Sequence, residues 1–283
     1  MSHSADPDDF LTEMATSSKR RASEARAKLP EAELAARAQD TAAPPKLQLS
    51  SRRFDLIAEV KFRSPAAGKL REGSDANVMA RVAGYAEAGA AAVSVLTEPS
   101  RFDGSLSHLE TAVRALAGRI PAMRKDFLVE PYQVYEARLA GAGGVLVIIR
   151  MLGDVELAAL IECAAKLKLF VLLEAFDVAD IARATALTKR YGSAVTLLVG
   201  LNCRDLVTLK VVPGRLEELI NRLPSDVPRV AESGVATAID AGRIAVVGYE
   251  MALVGSALMD ALEPLKLVKA MLSAGRNERA RRS

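Results

Sequence analysis

From residue 54 onward, short runs of near-continuous Val, Ile, Leu and Ala alternate with longer stretches whose apolar residues recur at helical spacing. The runs are Leu56–Val60, Ala91–Leu96, Ile120–Met123, Val145–Ile149, Phe170–Leu173, Val195–Leu201, Pro228–Ala231 and Met251–Val254. A strand that is apolar throughout is buried on both faces, the mark of a parallel sheet covered by helices. The intervening helical stretches fall at Asn77–Ala88, Leu106–Leu116, Tyr132–Ala140, Val155–Leu167, Val178–Lys189, Arg215–Arg222 and Ala238–Ala245. In the first of these, Val78, Val82, Tyr85 and Ala86 share one face. Pro131 suits a first helical turn, and Asp154 and Asp177 are placed to cap the helices after them. Eight strand–helix units in about 220 residues predict an α/β fold, a closed (β/α)8 TIM barrel. An open doubly wound sheet would give a similar pattern, so the strand count alone does not separate the two.

Ahead of the barrel, residues 8–37 are polar and Ala-rich, with Leu11, Met14, Ala22, Ala25 and Leu29 at helical spacing. One or two helices are expected there, ended by Ala42-Ala43-Pro44-Pro45, because consecutive prolines cannot continue a helix. The organisation read from these patterns is a helical extension over residues 1–50, a catalytic barrel over 51–275 and a basic, disordered tail over 276–283.

Charge and rare residues narrow the function. Thirty-eight basic against thirty-five acidic residues leave a net charge of +3, without the basic footprint of a nucleic-acid binder. The runs Lys19-Arg20-Arg21 and Arg279-Ala280-Arg281-Arg282 read as a solvated helix face and a frayed tail. Two cysteines, Cys163 and Cys203, have no metal-ligand spacing, and only two histidines are present, His3 and His108. That leaves no material for a Ser/His/Asp triad or a His-based metal site. No apolar run reaches the roughly 18 residues of a membrane span, and MSHSADPDDF lacks the apolar core of a signal peptide. The expectation is a cytoplasmic enzyme that binds neither nucleic acid nor membrane and is independent of cofactors, or at most weakly metal-dependent.

The chemistry collects where the runs end. In a (β/α)8 barrel the active site lies at the C-terminal ends of the strands. Here those ends read Glu59-Val60-Lys61, Leu96-Thr97-Glu98, Arg124-Lys125-Asp126, Leu173-Glu174, Asn202-Cys203-Arg204, Glu232-Ser233-Gly234 and Gly255-Ser256. Period-two alternation puts Glu59 and Lys61 on one face. One acid or base at a strand end is usually a solvated loop residue. Seven agreeing ends are different, because convergent charges repel and are kept at a cost in stability. Asp126 and Glu98 are the members best explained as structural ion pairs, and Arg124 fits either role. The turns at Glu232-Ser233-Gly234-Val235 and Gly255-Ser256-Ala257-Leu258 each read as the opening of a helix, where backbone amides and the helix dipole favour an anion. Loops after strands seven and eight commonly hold phosphate in such barrels. Neither a P-loop nor a G-x-G-x-x-G fingerprint occurs.

Several long motifs, in order, resemble the indole-3-glycerol-phosphate synthase family. They are Ile57-Ala58-Glu59-Val60-Lys61 with Ser64-Pro65 and Gly68; Leu96-Thr97-Glu98-Pro99 with Phe102 and Gly104-Ser105; and Arg124-Lys125-Asp126-Phe127-Leu128-Val129-Glu130-Pro131-Tyr132-Gln133 with Glu136-Ala137-Arg138. Gly200-Leu201-Asn202-Cys203-Arg204-Asp205-Leu206, Ala231-Glu232-Ser233-Gly234-Val235 and Leu253-Val254-Gly255-Ser256-Ala257-Leu258-Met259 complete the set. The resemblance spans roughly residues 8–272 and includes the helical extension this family adds before its barrel.

The resemblance implies ring closure, decarboxylation and dehydration of 1-(2-carboxyphenylamino)-1-deoxyribulose 5-phosphate to indole-3-glycerol phosphate in tryptophan biosynthesis, without a cofactor. By this resemblance Lys125 is the acid that protonates the ribulose carbonyl, its pKa expected to be lowered by burial and neighbouring cations. Lys61, Glu59 and Glu174 supply the acid and base for dehydration, with their division left open. Asn202 and Glu232 orient substrate hydroxyls and the lysines. Ser233, Gly234, Gly255 and Ser256 hold the phosphate; Phe102, Phe127 and Leu253 wall the anthranilate ring; Ser64 and Arg204 lie near its carboxylate.

Four places depart from the family's habit. Phe62-Arg63 stands where Lys-Ala is commoner, Ala66-Ala67 for Ser-Lys, Ala175-Phe176 for Val-His, and Cys203 for Asn. These leave room for a paralogue with altered substrate preference, or one that only binds a metabolite or partner. Another phosphate-binding barrel, an isomerase or epimerase, would explain the Gly-Ser turns but not the lysines and glutamates on the rim. The expected partner is the phosphorylated small molecule, with other tryptophan-pathway enzymes as a further expectation.

Overall fold

The structure is a computed structural model that describes residues 7–51, 54–65, 68–70 and 74–281. Eight parallel strands close on themselves: β1 (Asp55–Val60), β2 (Ala92–Leu96), β3 (Ala122–Lys125), β4 (Gly144–Ile148), β5 (Phe170–Ala175), β6 (Leu197–Asn202), β7 (Arg229–Glu232) and β8 (Met251–Val254). Each pairs with its neighbour in sequence, and β1 pairs with β8 through Asp55↔Met251 to Ala58↔Val254. The closed barrel, rather than the open sheet, is therefore the fold.

Both faces of the strands are used as their composition requires. Inward, Ile57, Met123, Leu146, Phe170, Leu172, Leu198, Val230 and Met251 fill the barrel. Gly144 leaves room for one of them, since a Cβ there would collide with the Phe170 ring. Outward, Val93, Val95, Val145, Val171 and Val199 join the apolar stripes of the surrounding helices in a second, larger core. Those helices are α3 (Asp75–Glu87), a one-turn α4 (Pro99–Phe102), α5 (Leu106–Leu116), α6 (Pro131–Leu139), α7 (Asp154–Lys166), α8 (Val178–Tyr191), α9 (Arg215–Leu219), α10 (Ala238–Val247), α11 (Ser256–Asp260) and α12 (Pro264–Ala280), after α1 (Pro7–Lys28) and α2 (Glu31–Asp40) of the extension. Asp177 caps α8 by accepting from Asp180 N at 3.0 Å. Asp154 does not cap; it is the first residue of α7, and its carboxylate is taken by Arg183 Nη2 at 2.7 Å.

The extension is two helices, divided at Pro30. Leu11 and Met14 of α1 join the cluster that fills the barrel, so this helix lies against the barrel mouth. Ala22, Leu34 and Tyr132 form a separate small cluster, with Tyr132 donating to Leu29 O at 2.9 Å.

Two further sequence expectations about the fold need correction. The basic run at 19–21 is not merely a solvated face: Arg21 reaches into the molecule and binds Asp126 through both terminal nitrogens, at 2.7 and 3.0 Å. Nor is the region from 276 a disordered tail, because α12 continues to Ala280. Arg276 donates to Phe54 O at 3.0 Å and to Asp55 Oδ1 at 2.8 Å, and Arg279 pairs with Glu250 at 2.6 Å. A buried carboxylate, Asp55, and a half-buried one, Glu250, at the bottom of the barrel give these arginines a reason to be ordered. Arg282 lies outside the described residues, as do His3 and Ala66-Ala67.

Candidate active site

At the C-terminal ends of the strands a cavity of about 360 Å³ opens into the barrel. The inward alternation of each strand continues past its last ladder bond, so every second residue points into the cavity: Glu59 and Lys61 after Ile57, Lys125 and Phe127 after Met123, Glu174 and Phe176 after Leu172. Candidate residues Glu59, Lys61, Ser64, Phe102, Lys125, Phe127, Glu174, Asn202, Arg204, Glu232, Ser233, Gly234, Leu253, Gly255 and Ser256 all line it.

Its centre is a lattice of charge. Lys61 Nζ lies 2.7 Å from Glu59 Oε1. Lys125 Nζ stands between two carboxylates, 3.7 Å from Glu174 Oε2 and 3.8 Å from Glu232 Oε2. Asn202 holds this arrangement in place: its amide donates to Glu174 Oε1 at 2.5 Å, while its carbonyl oxygen accepts from Arg204 N and from the Ser233 hydroxyl, each at 2.9 Å. Two glycines make room for the acids. A Cβ on Gly200 would collide with Glu232 Oε1, and one on Gly255 with Glu59 Oε1.

Burial and charge oppose each other at these groups. Burial alone would lower the Lys125 pKa, but Glu174, then Glu232 and Glu59, outweigh it, and the ammonium is held well above its ordinary value. The lowered value expected from sequence is wrong because three acids, not cations, are its nearest charges. Glu232 is shifted the other way for a carboxyl: burial, then the charge of Glu174, raise it well above the ordinary range despite Lys125.

An apolar wall faces the charges. Phe10 stands edge-on to Phe127 with ring centroids 5.8 Å apart, and Phe102 is 6.1 Å from the same ring. Among the described residues Glu98 does not form the ion pair expected of it. It caps the one-turn helix α4, accepting from Ser100 N at 2.9 Å and Arg101 N at 2.7 Å, and so sets the position of Phe102. Asp126 is structural as expected. Besides Arg21 it accepts from Thr97 Oγ1 at 2.7 Å and Arg124 Nη2 at 3.2 Å, and Arg124 continues the network to Glu136 at 3.0 Å. The network starts one residue beyond Lys125. Ser18 of α1 adds a bond to the Phe127 carbonyl and accepts from Gln133 Nε2 at 2.7 Å.

At the other end, Ser233 and Gly234 both adopt left-handed backbone conformations, with φ of 64° and 72°. They do not open a helix, as their sequence suggested. α10 begins at Ala238 behind a capping box of Thr237 and Asp240. Gly255 does immediately precede the short helix α11.

Sequence reading missed part of the lining. Phe10 and Leu11 arrive from the extension, Phe176 from the residue after β5, and Leu206, Leu209 and Val211 from the loop after β6. Phe176 was within reach, as the next inward position after Glu174. Phe10 and the β6 loop carry no periodic signal that would aim them at the barrel mouth.

Comparison with known proteins agrees with this architecture. The indole-3-glycerol phosphate synthase family model matches residues 11–271. An indole-3-glycerol phosphate synthase of Micrococcus luteus is 42% identical over 219 residues, covering 77% of this chain and 78% of the relative. That of Opitutus terrae is 39% identical over 232 residues, covering 80% and 84%. Among solved structures, 3-hexulose-6-phosphate synthase from Salmonella typhimurium matches with a TM-score of 0.60 at 13% identity, covering 79% of this chain and 99% of that one, a likeness of fold alone. With a family match that runs from the first extension helix to the last barrel helix, the chain belongs to the indole-3-glycerol phosphate synthase family.

Proposed function

We propose that this chain converts 1-(2-carboxyphenylamino)-1-deoxyribulose 5-phosphate to indole-3-glycerol phosphate, carbon dioxide and water. The observation that carries the reading is the position of Lys125. It is a partly buried ammonium that lines the cavity, with an aromatic wall on one side and the Ser233-Gly234 and Gly255-Ser256 turns on the other. An aromatic ring bearing a carboxylate fits the wall, with Ser64 and Arg204 near the carboxylate, and the sugar phosphate fits the backbone amides of the two turns. The carbonyl between them then lies near Lys125.

Ring closure begins as the aromatic carbon that bears the carboxylate attacks the carbonyl carbon. The new C–C bond forms and the carbonyl oxygen becomes an alkoxide. Lys125, kept cationic chiefly by Glu174, stabilises that charge as it develops and then gives up a proton. A raised ammonium pKa is no obstacle here, because an alkoxide is a stronger base than an amine. The carboxylate leaves as carbon dioxide, its bonding electrons returning to the ring. The hydroxyl then departs as water while a proton is lost from the adjacent carbon, and the indole is complete.

This last step needs a second acid and a base. The site offers Lys61 with Glu59 at 2.7 Å, and Glu174 held by Asn202. Asn202 and Glu232 act by orientation, the first on Glu174 and the second on Lys125.

The test is a fluorescence assay for indole-3-glycerol phosphate, with Lys125→Ala beside the wild type. Turnover that falls about 10³-fold in the variant is the expected result. Tight, saturable binding of the substrate without turnover in the wild type would replace this reading with that of a paralogue that only binds.

A further inference from the structure

Among the described residues, three buried side-chain oxygens of the barrel interior have no hydrogen-bond partner: Glu232 Oε1 on β7, Ser94 Oγ on β2 and Glu59 Oε2 on β1. The last two are neighbours across one ladder. Glu59 and Ser94 are Cα partners in the β1–β2 ladder. Both side chains point inward: Ala92 packs in the interior cluster and Leu96 lines the cavity, whereas Val93 and Val95 between them pack outward. Ser94 is fully buried, and Glu59 is 2% exposed. A hydroxyl in such a place is unfavourable unless it serves a partner. Nothing in the packing calls for serine here, since the inward neighbour at position 92 is alanine.

We propose that Ser94 is a positioning residue for Glu59, donating its hydroxyl hydrogen to Glu59 Oε2 when substrate occupies the cavity. The proposal rests on the ring-closure function above. Glu59 Oε1 is held by Lys61, and Lys61 lines the cavity. A substrate carrying a carboxylate and a phosphate draws that ammonium toward itself. Glu59 is then a buried carboxylate whose cation has turned away, a state that needs another donor. Neighbouring strands lie about 4.8 Å apart, so paired inward side chains come within reach by a change of rotamer. Gly255, with no side chain, leaves the carboxylate space on its other flank. With one oxygen fixed by Ser94, the other stays aimed into the cavity, where a base is required.

The experiment measures kcat, KM and melting temperature for the full chain and for Ser94→Ala, Ser94→Cys and Ser94→Thr with the carboxyphenylamino-deoxyribulose phosphate. Alanine, and the near-isosteric but weakly donating cysteine, should lower kcat about 10-fold, the worth of one hydrogen bond to a charged group, with KM within about twofold. Threonine, which keeps the hydroxyl, should recover most of the rate. A hydroxyl with no role predicts the opposite: alanine would leave kcat unchanged and raise the melting temperature, and that result overturns the proposal. So does a loss of rate that threonine does not restore while cysteine does, because packing would then be its cause. A wild type that does not turn over removes the underlying function first, and is read before any variant is made.

Discussion

At the scale of single residues the site works through opposed shifts on neighbouring groups. Lys125 stays charged because acids surround it, and Glu232 resists ionising because it is buried beside Glu174. Glu174 is the strongest of the charges that raise Lys125. Glu174→Gln should therefore lower kcat and also move the alkaline limb of the kcat–pH profile to lower pH, since the ammonium loses its proton more readily once that charge is gone. A pH titration of kcat in both proteins checks this, and an unmoved alkaline limb would count against Lys125 as the titrating acid. The placing of Lys125, Glu174 and Glu232 at the rim was legible from strand-end position, and the family resemblance singled out Lys125 among its neighbours. The direction of the Lys125 shift was not, because sequence shows which charges meet at the rim but not that Glu174 and Glu232 close on the lysine from two strands. Ser94 escaped for a related reason: one serine inside an apolar run has no meaning until its ladder partner is known.

At the scale of elements, α1 is fastened to the catalytic strand rather than laid over it. Its Arg21 grips Asp126 with two nitrogens, and its Ser18 holds the carbonyl of Phe127. Lys125 lies directly before this anchored pair. Arg21→Ala leaves a fully buried carboxylate short of its main partner, and should cost about 3 kcal/mol in urea unfolding. The same pair should be visible in acid. Despite burial, Arg21 and Arg124 pull the Asp126 carboxyl down to about 2, below its value of about 4 in the unfolded chain. Its contribution is thus complete above about pH 4 and fades as pH falls toward 2, so wild type and Arg21→Ala should converge in stability across that window. A constant gap would place the effect elsewhere. The apolar stripe of α1 could be read from spacing at Leu11 and Met14. Arg21 could not, because within a Lys-Arg-Arg run only the fold decides which arginine turns inward.

At the scale of the whole molecule, the barrel type follows from the buried runs, and its closure follows from the pairing of β1 with β8. The last helix secures that seam through Arg276 on Asp55 and Arg279 on Glu250. A chain ending at Gly275 leaves the buried Asp55 without its arginine, and urea unfolding should show a loss of about 3 kcal/mol; an unchanged midpoint would show the pairs to be idle. Charge composition hid this, since a basic terminal run has the same appearance whether frayed or docked. The seam also sets the order in which the molecule comes into being. Glu59 lies on β1 and Lys61 directly after it, Gly255 and Ser256 lie directly after β8, and the cavity lies across the line where the two strands meet. On the ribosome, a chain that has reached β7 carries both lysines and all three glutamates, yet β1 still presents a bare edge and the pocket lacks a side. A nascent chain therefore has no complete pocket until β8 has paired with β1.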